Sequence, residues 1–128
     1  MGIHFKGSKR EVAVHNTFIT LRRATDTLIY KFKLCLDKYG LSEGQFNVLD
    51  ALFDLASLSQ KNLGRKLLKS GGNITMVVDN LEKSGYVFRK RSKEDRRFSI
   101  IELTLNGKKK IEETLPAQID LITNMLNT

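Results

Sequence analysis

The sequence predicts a mainly helical chain with one small β-hairpin, an α+β arrangement. Two long terminal stretches place apolar residues at steps of three and four, the spacing of one helix face. Near the middle, two short β-branched and aromatic runs, Tyr86–Arg89 and Phe98–Thr104, flank a charged stretch as the arms of a hairpin do. Between the first helix and the hairpin, Ser and Gly residues recur where short helices would begin and end.

From Ser8 to Tyr39, Phe18, Leu21, Thr25, Leu28, Phe32, Cys35 and Tyr39 form the stripe of one long helix, widened by Ile19, Ile29 and Leu36 into a broad buried side. A helix of about thirty residues is some 45 Å long. That exceeds what one small domain covers, so part of it is expected to pack on a second chain. Gly40 stops it, and Ser42-Glu-Gly-Gln45 fits a capping box that starts a second helix through Phe46, Val48, Leu49 and Leu52. Ser59-Gln-Lys-Asn62 opens a third, with Leu63, Leu67 and Leu68 inward and Lys61, Arg65, Lys66 and Lys69 outward. Ser70 is the expected cap of a fourth, in which Ile74, Val77, Val78 and Leu81 face inward and Gly85 ends the run. Thr104 caps a last helix through Ile111, Leu115, Ile119, Ile122 and Leu126, which Pro116 should kink or restart.

The 128 residues suit one domain, and 41% hydrophobic content is enough for a sizeable core. No repeat or linker divides the chain. The terminal helices, 8–39 and 105–128, carry surplus apolar surface and are expected to dimerise, leaving 42–104 as the central lobe. One cysteine, Cys35, excludes an internal disulfide, and its apolar neighbours Leu34 and Leu36 favour packing over reactivity. With only His4 and His15 besides, no closed metal site and no cofactor are expected. The same scarcity leaves no nucleophile, base and orienting group together, so the chain is not expected to be an enzyme. No stretch approaches twenty apolar residues, and Met1-Gly-Ile-His-Phe-Lys lacks a signal-peptide core. The expectation is a protein of the cytoplasm with no membrane partner.

Charge is distributed unevenly. The chain has 22 Lys and Arg against 14 Asp and Glu, and Lys61–Arg97 alone holds 11 of the basic and 4 of the acidic residues. Within it, Arg89-Lys-Arg-Ser-Lys-Glu-Asp-Arg-Arg97 packs six cations into nine residues. A solvated surface scatters both signs; an excess gathered on one segment makes a local field that attracts a polyanion. The turn Leu67-Leu-Lys-Ser-Gly-Gly-Asn73 joins two helices tightly, as a helix-turn-helix requires, and a basic hairpin follows. Together they suggest a winged helix-turn-helix with N- and C-terminal dimerisation helices.

This order of elements, with Gln45-Phe46, Val78-Asp-Asn-Leu-Glu82, Gly85, Glu94-Asp-Arg-Arg97 and Leu103-Thr-x-x-Gly107, resembles the MarR family of bacterial transcriptional regulators over most of the chain. The resemblance implies a homodimer on a pseudo-palindromic double-stranded DNA operator, acting as a ligand-responsive repressor. Its fourth helix would enter the major groove, and its wing would put an arginine into the minor groove. By motif position that arginine is Arg97, steadied by Asp95. Two features depart from the family. Met76 stands where many relatives have arginine, so base preference would rest on Asn73, Thr75 and apolar contact from Met76. The last helix stops at Thr128, earlier than in many relatives, implying reduced dimer contacts or a shortened chain.

The candidate DNA-binding residues are Ser70, Gly72, Asn73, Thr75, Met76 and Asn80 on the reading helix, with Arg89, Arg91, Lys93, Asp95, Arg96 and Arg97 on the wing. Asn73 has the chemistry to pair with adenine N7 and N6 at once. The plainer role for Ser70, Asn73 and Thr75 is capping and solvation, and for the wing cations a solvated charge run. Relatives bind phenolic compounds where the first helix meets the DNA-binding lobe, which makes His15, Phe18 and Arg22 candidate effector contacts. Leu68-x-Ser-Gly-Gly-Asn-Ile-Thr75 resembles a branch responding to quinones and catechols, so a small phenolic or quinone-like effector is expected. The alternative function is a winged-helix interaction module that binds protein or RNA through the same surface.

Overall fold

Ser8 opens α1 (Lys9–Asp37) through a full capping box: its hydroxyl accepts from Glu11 N while the Glu11 carboxylate accepts from Ser8 N. The structure is a computed structural model that describes residues 5–67 and 71–127. Gly40 at φ 71° turns the chain out of the helix. A second capping box between Ser42 and Gln45 then starts α2 (Glu43–Leu55), as the sequence predicts. Ser59 caps α3 (Gln60–Lys66), α4 spans Gly71–Lys83, and Gly85 at φ 80° redirects the chain into the hairpin. Ser70, the expected cap of α4, lies outside the described residues, as do Leu68 and Lys69.

The hairpin strands are β2 (Val87–Arg91) and β3 (Ser99–Leu103), paired antiparallel with Arg89 opposite Ile101. A further strand, β1 (Ser57–Ser59), extends the expected hairpin into a three-stranded sheet of order β1-β3-β2, with Leu58 opposite Ile101. Ala56 makes the entry to β1. Its φ of 66° is the one positive value on a described non-glycine residue, and it turns the chain between helix and strand.

The core lies where α2, α4, the sheet and the first half of α5 (Leu105–Leu126) meet. Val48, Leu49 and Leu52 of α2, Leu63 of α3, Val78 and Leu81 of α4, Ile101 of β3 and Ile111 of α5 are fully buried. Each such side chain contributes about 1.5–3 kcal/mol relative to exposure. Phe32 of α1 meets Phe46 edge-on at 5.5 Å between ring centres.

Two expectations need correcting. The broad apolar side of α1 is not buried within the chain. Leu36 is its only buried residue, while Phe18 (55% exposed), Leu21 (63%), Ile29 and Tyr30 face outward. Nor does Pro116 restart the last helix: α5 runs unbroken from Leu105 to Leu126 through it.

The start of α5 is fastened to the turn that precedes the wing. Thr104 caps the helix by accepting from Gly107 N, donates its own hydroxyl to Gly85 O, and donates its backbone N–H to Tyr86 O at 3.0 Å. Gly107 packs against Tyr86 so closely that a Cβ there would overlap the Tyr86 carbonyl.

Candidate nucleic-acid interface

Helical periodicity divides α4 into three stripes. Ile74, Val78 and Leu81 are buried, with Val77 half-buried beside them. Gly72, Asn73, Met76 and Asn80 recur at three and four residues on an exposed stripe, where Met76 is 57% exposed. Thr75, Asp79 and Glu82 form the third stripe, which faces β2. The sequence-predicted reading residues are thus divided, with Asn73, Met76 and Asn80 on the outward stripe and Thr75 on the flank beside the wing.

The wing tip is shaped by side chains accepting from nearby backbone. Ser92 Oγ accepts from Glu94 N and Asp95 N, and Asp95 Oδ1 accepts from Arg97 N at 3.0 Å. Phe98 N donates to Asp95 O and Ser92 N to Phe98 O, closing the loop at its base. Arg91 Nη1 reaches the Arg96 carbonyl at 2.6 Å, so this cation braces the loop it belongs to.

Arg97 stands outermost, its side chain 85% exposed, held against Asp95 by Nε to Oδ1 at 3.0 Å and Nη2 to Oδ2 at 2.7 Å. This fork is the steadying that motif position implied. The side-chain and backbone hydrogen bonds from Arg97 hold the Asp95 carboxyl below its ordinary range, and the carboxylate in turn raises the Arg97 pKa. Lys93 and Arg96 are exposed on the same loop.

Arg89 is placed differently from the other wing cations. It lies on the inner face of β2, 22% exposed, with Nη2 2.6 Å from Asp79 Oδ1 and Nη1 2.9 Å from Glu82 Oε1. Its Nε donates to Gln60 Oε1 at 3.2 Å. Its guanidinium is occupied by protein, so it does not stand beside Lys93, Arg96 and Arg97 as an outward cation. Lys90 is likewise paired, with Glu102 at 2.6 Å. Reading along the sequence missed Gln60, Asp79 and Glu82. The available signal was period two: once Val87 is inward, Arg89 shares its face.

None of the candidate effector residues His15, Phe18 and Arg22 lines the cavities described below. His15, Phe18 and Arg22 lie exposed on the first half of α1. The apolar cleft lies farther along, about 330 Å³ between α1, α2 and α5, lined by Leu28, Phe32, Asn47, Leu121, Ile122 and Met125 among others. A second, more polar hollow of about 510 Å³ lies between α2 and α3 and contains Asp50, whose carboxyl is pushed up by burial and then by the charge of Asp54, against the opposing pull of Lys66. Among the described residues no helix is long and apolar enough to cross a membrane.

An exposed helix stripe beside a preorganised basic loop defines a winged helix-turn-helix, and comparison with known proteins agrees. Residues 30–114, more than half of the chain, match the family model described as transcriptional regulator SarA/Rot. The chain is 32% identical over 113 residues to the HTH-type transcriptional regulator MhqR of Bacillus subtilis, covering 86% of this chain and 78% of that one. It is 37% identical over 89 residues to the HTH-type transcriptional repressor YetL of the same organism, covering 68% of this chain and 53% of the relative. Among solved structures, a mutant MarR from Escherichia coli complexed with operator DNA superposes with a TM-score of 0.72 at 25% identity, over 86% of this chain and 82% of the other. The chain belongs to the MarR family of winged helix-turn-helix proteins and is a DNA-binding transcriptional regulator.

Proposed function

We propose that the protein is a homodimeric repressor that sets α4 of each protomer into successive major grooves of a pseudo-palindromic operator and each wing into the flanking minor groove. The observation that carries this is the wing tip, where Arg97 projects into solvent already oriented by Asp95. A narrow minor groove concentrates negative potential, and a guanidinium held in advance loses less freedom on entering it. Asn73, Met76 and Asn80 then face the base edges, while Lys93 and Arg96 serve phosphates and Gly72 permits close backbone approach. The repressor role is supported by the relative YetL, an HTH-type transcriptional repressor.

Dimerisation is supported by the apolar surface left open. Val14, Phe18 and Leu21 on α1, with Ile119, Ile122 and Leu126 on α5, lie at helical spacing and are all exposed in one chain. A second copy that covers these rows supplies the missing wall. The effector, a small phenolic or quinone-like molecule, fits the apolar cleft between α1, α2 and α5 better than the exposed His15, Phe18 and Arg22. It releases DNA only by binding more tightly to the conformer whose reading helices are wrongly spaced.

Gel shift with the DNA upstream of the protein's own gene tests this. The wild type shifts it as a dimer, and Arg97→Ala weakens binding tenfold or more. A dimer neutralising about six to ten phosphates also loses roughly 10³ to 10⁵ in affinity between 50 and 200 mM salt. A flat salt profile, or capture of RNA or protein in place of duplex, contradicts the reading.

A further inference from the structure

We propose that Gln60 and Arg89 are positioning residues that set DNA sequence discrimination from behind the interface. They fix the reading helix against the wing without themselves touching phosphate. The inference rests on α4 being the reading element, as above.

The basis is one continuous polar chain across three elements. From β2, Arg89 grips α4 twice through charge, at Asp79 and at Glu82, and its Nη2 also lies 3.4 Å from the Thr75 carbonyl oxygen. Its backbone N–H donates to the second Glu82 oxygen at 3.3 Å, so strand and side chain hold the same carboxylate. From α3, the Gln60 amide bridges the remaining gap: Oε1 accepts from Arg89 Nε at 3.2 Å and Nε2 donates to Thr75 Oγ1 at 2.9 Å. Thr75, Asp79 and Glu82 sit one turn apart, so the chain spans two turns of α4 and resists both rotation about its axis and sliding along it.

That restraint matters because the outward stripe is offset from the gripped stripe by a single residue at Met76 and Asn80. A small rotation of α4 moves both side chains across a base-pair edge while Arg97, at the tip of the hairpin, stays in its groove. Discrimination needs both at once, and groups holding a reading face must be fixed to well under 1 Å. The cluster also places two carboxylates near an approaching polyanion. Arg89 offsets one of those charges, which limits repulsion while committing its guanidinium to protein instead of phosphate.

The test uses the full chain and an operator enriched from a random duplex library. Affinities for that operator and a scrambled duplex are measured from 50 to 200 mM NaCl for wild type, Gln60→Ala, Arg89→Gln, and Arg89→Gln combined with Asp79→Asn and Glu82→Gln. Gln60→Ala keeps every charge and is expected to lower the operator-to-scrambled ratio three- to tenfold with an unchanged salt slope. Arg89→Gln weakens binding to both duplexes. The combined variant regains affinity for scrambled DNA but not the ratio. A direct phosphate contact would instead show as a slope lowered by about 0.9 for each phosphate lost, at constant ratio, and would overturn the proposal. So would an unchanged ratio in Gln60→Ala, the variant that leaves both ion pairs in place should Arg89→Gln fail to fold. Asn73→Ala separates the two readings. If it lowers the ratio and Gln60→Ala does not, positioning fails alone; if the wild type enriches no sequence, both fail.

Discussion

Replacing Gly107 by alanine is expected to cost stability although the position is helical. In an exposed helix the change would gain about 1 kcal/mol. Here the added Cβ would overlap the Tyr86 carbonyl oxygen and lie 2.8 Å from its carbon and 3.2 Å from its Cα, all backbone atoms that cannot rotate away. The start of α5 must therefore retreat from the turn before β2. Retreat strains the packing by roughly 1–3 kcal/mol. It also breaks the two hydrogen bonds from Thr104 to Gly85 O and Tyr86 O, each contributing about 0.5–1.5 kcal/mol. The clash wins, with a net loss of roughly 1–5 kcal/mol, which for a chain of this size lowers Tm by about 4–19 °C. Thermal unfolding followed by circular dichroism reads this directly. Gly72→Ala is the control, because nothing lies within 4 Å of its added Cβ; its Tm should hold or rise slightly. A Gly107→Ala protein melting within about 2 °C of wild type, less than the smallest shift expected, would refute the close seating of α5 on the turn before the wing.

Asp50→Asn should raise Tm at pH 7. Burial first, and the Asp54 charge second, raise the folded-state pKa of Asp50, so its ionised form opposes folding at neutral pH. That opposition fades as pH falls through the raised folded value, and the two proteins should melt together below the ordinary carboxyl value of 3.8. A difference that persists in acid would point to packing instead. Phe18→Glu with Leu21→Glu should yield a folded monomer in sedimentation, since both side chains are exposed in one chain; an unchanged dimer would move the interface elsewhere. Operator affinity should fall with it, because a monomer reads one half-site.

Much of the fold was legible because capping chemistry is local. Ser42 and Gln45 announce α2, Thr104 announces α5, and both act as read. β1 was not legible: three residues, Ser57–Ser59, are too few to show alternation, and the strand exists only because Leu58 and its neighbours pair with β3. The apolar stripe of α1 was visible but its burial was not, since periodicity reports an apolar face and not what covers it. At the candidate interface, the pairing of Arg97 with Asp95 was implied by motif position in the family resemblance, not by composition or spacing. Arg89 looked like one more cation of a basic run, because the carboxylates that occupy it come from α4, in Glu82 and Asp79, well upstream of the wing.

Hydroxyl-radical footprinting of the enriched operator asks whether two reading helices and two wings engage one duplex together. Two protected tracts should lie about one helical turn, roughly 34 Å, apart, with minor-groove protection outside them that disappears in Arg97→Ala. Protection of a single tract, or of the duplex uniformly without preference for sequence, would rule that arrangement out.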